Sequence, residues 1–215
     1  MFRNCLLLIL MFLPSAGWCE AWVNVHLVYV AQDDGKWFTP NLDAVFGNIS
    51  TLSVNLRLRR VTYQSIDPTN YGSIDDGDIT EQVNGEAFRY WRSEARSNGW
   101  FHGVDIVHVV LPPFEMLETG LRYIAGRSEI CGKFSVARTA PTVRGKSECI
   151  IEHEIGHTLG ARHDDGSGNI MSSNTSVFVP RDAVTCPLGF EAAAVKQVRK
   201  CMVRKRWMGK RRSNL

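Results

Sequence analysis

The segment from His153 to Asp164 constrains the fold of this chain most, because it reads HEIGHTLGARHD and holds three of the six histidines. Residues four apart lie on the same face of an α-helix, so His153 and His157 present two imidazoles to one point. Gly160 can take the left-handed conformation that ends a helix, and the reversed chain can return His163 as a third nitrogen ligand. The segment therefore predicts a short helix that ends at a glycine and carries a metal site.

The predicted metal is one catalytic Zn²⁺ ion. Three neutral nitrogens leave one tetrahedral position for water, which distinguishes catalytic zinc from closed structural zinc. Glu154 follows the first ligand and is placed to take a proton from that water as a general base. A solvated histidine-rich helix is the alternative, but Ile151, Ile155 and Leu159 give this helix a buried side. The pattern predicts a hydrolase.

The first 21 residues, MFRNCLLLILMFLPSAGWCEA, have the order of a secretory signal peptide: a basic residue, an apolar run and small residues. We expect cleavage near Ala21, with a cut after Gly17 as the other possibility, whereas a buried N-terminal helix or a retained anchor is the competing interpretation. No later segment is apolar enough to cross a membrane. The mature protein is therefore predicted to be secreted or extracytoplasmic, and periplasmic in a Gram-negative bacterium.

Four cysteines follow the predicted cleavage site, an even number suited to two disulfides in an oxidising compartment. A helix over 188–202 would hold the Cα atoms of Cys186 and Cys201 roughly 20 Å apart, too far for a direct bond. Two pairings remain: Cys131 with Cys201 and Cys149 with Cys186, or Cys131 with Cys186 and Cys149 with Cys201.

The order of strands and helices predicts an α/β (α+β) domain with a twisted, mostly parallel sheet, an active-site helix and a C-terminal helix. There are no internal repeats, so a single domain is expected. The predicted strands are 22–30, 56–66 and 104–113, with an edge strand and a loop within 121–139, and the predicted helices are 38–56, 75–99, 148–159 and 187–207.

The extended motif HEIGHTLGARHD resembles that of the metzincin zinc metalloproteases, and Asp164 after the third histidine is similar to the adamalysin (reprolysin) branch. The resemblance implies a zinc endopeptidase that acts on protein or peptide substrates. It also implies a methionine turn beneath the metal, for which NIMSS offers Met171. We expect Asp164 to orient the turn after the third ligand by hydrogen bonds, as an outer partner of the metal site. The sequence leaves calcium binding open.

A second stretch, AGRSEICGKFSVA, is similar to the adamalysin segment in which an edge strand precedes a cysteine. In that family the strand pairs with extended substrate, which makes Tyr123, Ile124 and Ala125 the candidates. The family also commonly links the cysteine at this place to the last helix, which favours Cys131 with Cys201. On this basis we expect a signal peptide over 1–21, a metzincin-like protease domain over 22–207 and a basic tail over 208–215.

The net charge of +3 conceals an uneven distribution, because residues 196–215 hold nine Lys and Arg and no acid. The basic segment 196–215, which includes the tail over 208–215, is either a solvated helix face or a surface that attracts anionic partners. The absence of a base-reading motif argues against sequence-specific nucleic-acid binding, and a monomer is expected. The alternative function is a non-catalytic, zinc-stabilised binding module that uses the basic tail.

Overall fold

The computed structural model describes residues 21–31, 40–65, 79–112, 126–139, 144–164, 168–172, 180 and 183–212. Three predictions fall on residues outside these ranges. They are residues 1–20 of the predicted signal peptide, the substrate-strand candidates Tyr123, Ile124 and Ala125, and the last tail residues 213–215.

In the described part of the chain, five strands form one sheet in the order β2-β1-β3-β5-β4, and four helices accompany it. All neighbouring strands are parallel except β4, which runs antiparallel to β5 at one edge. The predicted α/β class with a mostly parallel sheet is confirmed. The strands are β1 (Ala21–Ala31), β2 (Val54–Ser65), β3 (Ile106–Leu111), β4 (Gly126–Ser128) and β5 (Phe134–Arg138), and the helices are α1 (Leu42–Ser50), α2 (Ile79–Ser97), α3 (Arg144–Leu159) and α4 (Ala192–Arg212).

The core lies on both faces of the sheet. On one face α1, α3 and α4 contribute Val45, Ile155 and Val198, all fully buried. On the other face Trp91 of α2 packs against Phe134 and its neighbours. Strands covered on both faces read as continuous apolar runs, which explains why β3 is nearly all apolar.

The segment 121–139 differs from its prediction, which was one edge strand and a loop. It holds two strands: β4 is the short antiparallel edge, whereas β5 lies inside the sheet and pairs in parallel with β3. All five residues of β5 are buried, so no alternation marks it in the sequence.

The helix boundaries also differ from their predictions. The cap of α1 is Asn41, whose side chain accepts a hydrogen bond from the Ala44 N–H, so Pro40 precedes the helix instead of lying in its first turn. The metal-site helix α3 begins at Arg144, four residues before the predicted start. The last helix, α4, continues to Arg212 and so includes most of the predicted tail.

Two disulfides tie the helices to the rest of the domain. The outer disulfide, Cys131–Cys201, links the turn after β4 to α4, with a Cα–Cα distance of 5.7 Å. The inner disulfide, Cys149–Cys186, links α3 to the segment before α4 and has a Cα–Cα distance of 4.9 Å. This pairing is the one that the family resemblance favours. In the described part of the chain no helix combines the length and the apolar character that a bilayer span requires.

Candidate metal centre

The metal-site helix α3 ends abruptly at Gly160. The Gly160 N–H donates to the His157 carbonyl and the Ala161 N–H to the Gly156 carbonyl, both at 2.9 Å, which is the Schellman pattern of a helix C-terminus. Gly160 has a φ of +113°, and a Cβ there would lie 2.5 Å from the Cβ of Cys201. Glycine is therefore required by the backbone conformation and by the close approach of α4.

The reversal after Gly160 brings three imidazoles together. The Nε2 atom of His153 lies 3.0 Å from that of His163, and the Nε2 atom of His157 lies 3.1 Å from each of the other two. Two nitrogens at 2.0–2.1 Å from a tetrahedral zinc ion are about 3.3 Å apart, so this triangle fits the ligand set of such an ion. No other group of three or more His, Cys, Asp or Glu side chains converges in this way among the residues that the structure describes.

The opposite nitrogens of two of these rings fix their tautomers. His153 Nδ1 donates to the Ile170 carbonyl at 2.5 Å, and His157 Nδ1 donates to the Ala161 carbonyl at 2.8 Å. The Nε2 atoms are left as lone-pair donors, as a metal requires. Burial, followed by the neighbouring imidazoles, lowers the pKa of His153 to about 3, and burial likewise lowers the pKa of His157 to about 4. Both rings are therefore neutral ligands at physiological pH.

The turn at 168–172 is hydrogen-bonded to the first ligand and to the residue that follows the third ligand. Asn169 is only 4% exposed; its Nδ2 donates to Asp164 Oδ1 at 2.9 Å, and its Oδ1 accepts from the Met171 N–H at 2.8 Å. The Asp164 N–H donates to the Met171 carbonyl at 3.2 Å. Because Ile170 receives the His153 hydrogen bond, one turn fixes both the His153 ring and the chain after His163.

Met171 lies fully buried under α3. A Cβ added to Gly156 would lie 2.9 Å from Met171 Sδ and 3.0 Å from Phe190 Cε1. The helix therefore rests on the methionine and on Phe190 between its two histidine ligands.

Glu154 is buried, with 5% of its surface exposed, and one of its carboxylate oxygens is held. The Ser128 hydroxyl, on β4, lies within hydrogen-bonding distance of Glu154 Oε2 and of its backbone carbonyl. Burial raises the pKa of Glu154 to about 8, and the Ser128 hydrogen bond opposes that shift. A dication bound at the three imidazoles acts in the same direction as Ser128, because it favours the carboxylate.

The structure thus brings together all three predicted ligands, with Glu154 next to the first ligand on α3, Met171 packed against α3, and Asp164 and Gly160 at the reversal. Four further contributors were not predicted. The sequence gives a weak signal for Asn169, which precedes the methionine turn, but none for the others, because their contacts arise from packing between separate segments. The four are Gly126, Ser128, Gly156 and Asn169.

The fold and the three-imidazole centre together define a zinc metallopeptidase. A family model described as "Metallo-peptidase family M12B Reprolysin-like" matches residues 40–164. The chain belongs to this family, as the resemblance in the sequence indicated, and it acts on peptide bonds with zinc as its metal. A comparison with curated proteins gave no match.

A solved structure supports the fold. An archaemetzincin from Methanopyrus kandleri is similar over 87% of this chain and 98% of its own, with 16% identity and a TM-score of 0.55. Metalloproteinase-II from Bacteroides fragilis is similar over 85% of this chain and 53% of its own, with 17% identity and a TM-score of 0.49.

Proposed function

We propose that the protein is a secreted, adamalysin-like zinc endopeptidase in which Glu154 is the general base. The observation that carries the proposal is the position of Glu154: it follows the first imidazole ligand directly, its side chain is buried, and one carboxylate oxygen is anchored. A buried carboxylate next to a metal ligand is suited to take a proton from water at the metal centre.

His153, His157 and His163 would hold the zinc ion through their Nε2 atoms. When bound there, zinc would supply Lewis acidity that polarises the scissile carbonyl and lowers the pKa of the attacking water. Glu154 takes the proton of the attacking water on its carboxylate and passes it to the leaving amine nitrogen. Water attack on the carbonyl carbon and loss of the amine break the peptide bond, with no proton gained or lost overall.

Substrate would bind as an extended strand beside the sheet edge. β4 is the last strand in the sheet order and pairs on one side only, with β5, among the described residues. Edge strands commonly add an extended peptide through backbone hydrogen bonds. The candidates Tyr123, Ile124 and Ala125 directly precede β4, which supports their assignment to the same substrate edge.

The test compares wild type with Glu154→Gln on a peptide library, with and without a chelator. We expect the variant to lose hydrolysis and to retain about one zinc ion per chain. Normal turnover in the variant would exclude Glu154 as the base. Chelation tests the alternative of a non-catalytic binding module. If the zinc is structural, its removal should unfold the domain; if it is catalytic, its removal should abolish activity and leave the circular dichroism spectrum largely unchanged.

Export is supported by the signal-like sequence of residues 1–21 and by two disulfides in the folded domain. Mass spectrometry of protein from the native host checks this directly. We expect the mature chain to start near Trp22, the residue after Ala21. A cytoplasmic product with an intact N-terminus and reduced cysteines would contradict export.

A second candidate function is attraction to anionic surfaces through α4. Lys196, Lys200 and Arg204 are exposed and four residues apart, so they share one face of the helix. Lys205 is excluded because its Nζ donates to the Gly132 carbonyl at 2.7 Å. The triple variant Lys196→Glu, Lys200→Glu and Arg204→Glu should lose salt-dependent binding to anionic vesicles and keep cleavage of small peptides. Unchanged vesicle binding would show that this face is only solvated and does not bind anionic surfaces.

A further inference from the structure

Ser128 and Glu154 form a contact between the edge strand and the metal-site helix. The Ser128 Oγ atom lies 2.9 Å from the Glu154 carbonyl oxygen, and it is also within hydrogen-bonding distance of Oε2. Among the residues that the structure describes, Ser128 is the only hydrogen-bond partner of the Glu154 side chain. The two residues are 26 positions apart, so the contact depends on the packing of β4 against α3.

Gly126 brings the same strand against the rest of the Glu154 side chain. A Cβ at Gly126 would lie 2.6 Å from Glu154 Cγ, 2.7 Å from its Cδ and 2.5 Å from the Val136 carbonyl oxygen. Residues two apart on a strand face the same side. Gly126 and Ser128 therefore contact one carboxylate side chain from one face of β4, the first by its backbone and the second by its hydroxyl.

We propose that Ser128 is a positioning residue that orients the Glu154 carboxylate for proton transfer. The proposal rests on the proposed role of Glu154 as general base. A glutamate side chain has several rotatable bonds, and a group that transfers protons is effective only in a narrow range of positions. By holding Oε2, Ser128 leaves Oε1 as the oxygen that exchanges the proton.

The chemistry of a hydroxyl suits this role. Ser128 has one proton to donate and can also accept, whereas the carbonyl of Glu154 offers a second acceptor at 2.9 Å. The hydroxyl can donate to Oε2 while Glu154 is a carboxylate. When the proton is on Oε1, Oε2 is a carbonyl-type oxygen that still accepts, so the same Ser128 hydrogen bond can hold the side chain in both states.

The test is Ser128→Ala, with Ser135→Ala as its matched control. Ser135 lies opposite Ser128 in the β4–β5 pair, but its hydroxyl is hydrogen-bonded to His108 Nδ1 at 2.7 Å instead. We expect Ser128→Ala to lower kcat about 10- to 100-fold, the range found for outer partners of metal sites. KM, zinc content and melting temperature should stay close to those of Ser135→Ala.

Ser128→Thr keeps the hydroxyl and is favoured on a strand, so it should recover most of the lost kcat. The positioning role is excluded if folded Ser128→Ala keeps the wild-type kcat, or if folded Ser128→Thr is as slow as Ser128→Ala. Glu154→Gln, measured in parallel, separates the two proposals. Turnover in Glu154→Gln refutes the base itself, whereas an inactive Glu154→Gln beside a fully active Ser128→Ala refutes only the positioning.

Discussion

Replacing Gly160 with alanine perturbs the feature on which the metal centre depends, the reversal between the second and third ligands. The φ of +113° is well beyond the left-handed basin near +57°, so an alanine there is strained by about 1–3 kcal/mol. The new methyl group would also lie 2.5 Å from the Cβ of Cys201, which is held by a disulfide and cannot swing away. Such overpacking adds about 1–3 kcal/mol.

The sum is a loss of about 2–6 kcal/mol in the free energy of unfolding, against a typical total of about 5–15 kcal/mol. Gly99→Ala is the matched control, because Gly99 has a φ of +64° and open space where a Cβ would stand. Gly99→Ala should lower the free energy of unfolding only through backbone strain, by about 1–2 kcal/mol. The difference between the two variants therefore contains the packing of the reversal against α4 together with the extra backbone strain of the larger φ at Gly160.

Urea unfolding followed by circular dichroism, with a chelator present, measures both variants without the contribution of bound zinc. A second measurement is zinc affinity by competition with a chelator. We expect Gly160→Ala to bind zinc more weakly because His163 is displaced, and Gly99→Ala to bind it normally. If Gly160→Ala is no less stable than Gly99→Ala and binds zinc equally well, the reversal does not determine the site.

Three further predictions concern the supports of the centre. Replacing both cysteines of the outer disulfide by serine should lower the free energy of unfolding by about 3.7 kcal/mol when the inner disulfide is intact and by about 4.4 kcal/mol when it is absent. The cost is smaller with the inner disulfide because that bond lies within the outer loop and shortens it from 70 to about 33 residues. Urea unfolding of the four variants tests this, and a smaller cost without the inner disulfide would contradict it. Asn169→Ala should weaken zinc binding about 10- to 100-fold, because the turn that orients His153 loses its hydrogen bonds, and an unchanged zinc affinity would show that the turn is rigid without it. Burial lowers the pKa of His108 from 6.5 to about 3, so the unfolded chain binds more protons between these values and stability falls as the pH falls, by at most about 1.4 kcal/mol per pH unit. His108→Gln should flatten that dependence in acid unfolding curves, and an equally steep curve would assign the acid sensitivity to other groups.

The ligand set was predictable because it depends on local geometry. The spacing of His153 and His157 follows from one helical turn, and the return of His163 needs only a glycine that ends the helix. The fold class was predictable for a similar reason, since apolar strands alternate with amphipathic helices along the chain. Neither inference needs a contact between distant segments.

The supports of the site were not predictable, because they depend on tertiary packing. Nothing near Ser128 in the sequence indicates that its hydroxyl meets Glu154, since this contact depends on β4 pairing with β5 and packing against α3 in the folded sheet. β5 was itself missed because a fully buried strand of five residues has no alternation. Spacing alone left two cysteine pairings open; the family resemblance favoured Cys131 with Cys201, and the position of Cys131 beside α4 agrees with it.

Zinc K-edge X-ray absorption on the purified protein, with metal analysis of the same sample, tests the central claim most directly. We expect one zinc ion per chain with three nitrogen neighbours at about 2.0–2.1 Å and one oxygen from water. Substoichiometric zinc, or a fourth ligand supplied by a protein side chain, would contradict an open three-histidine centre.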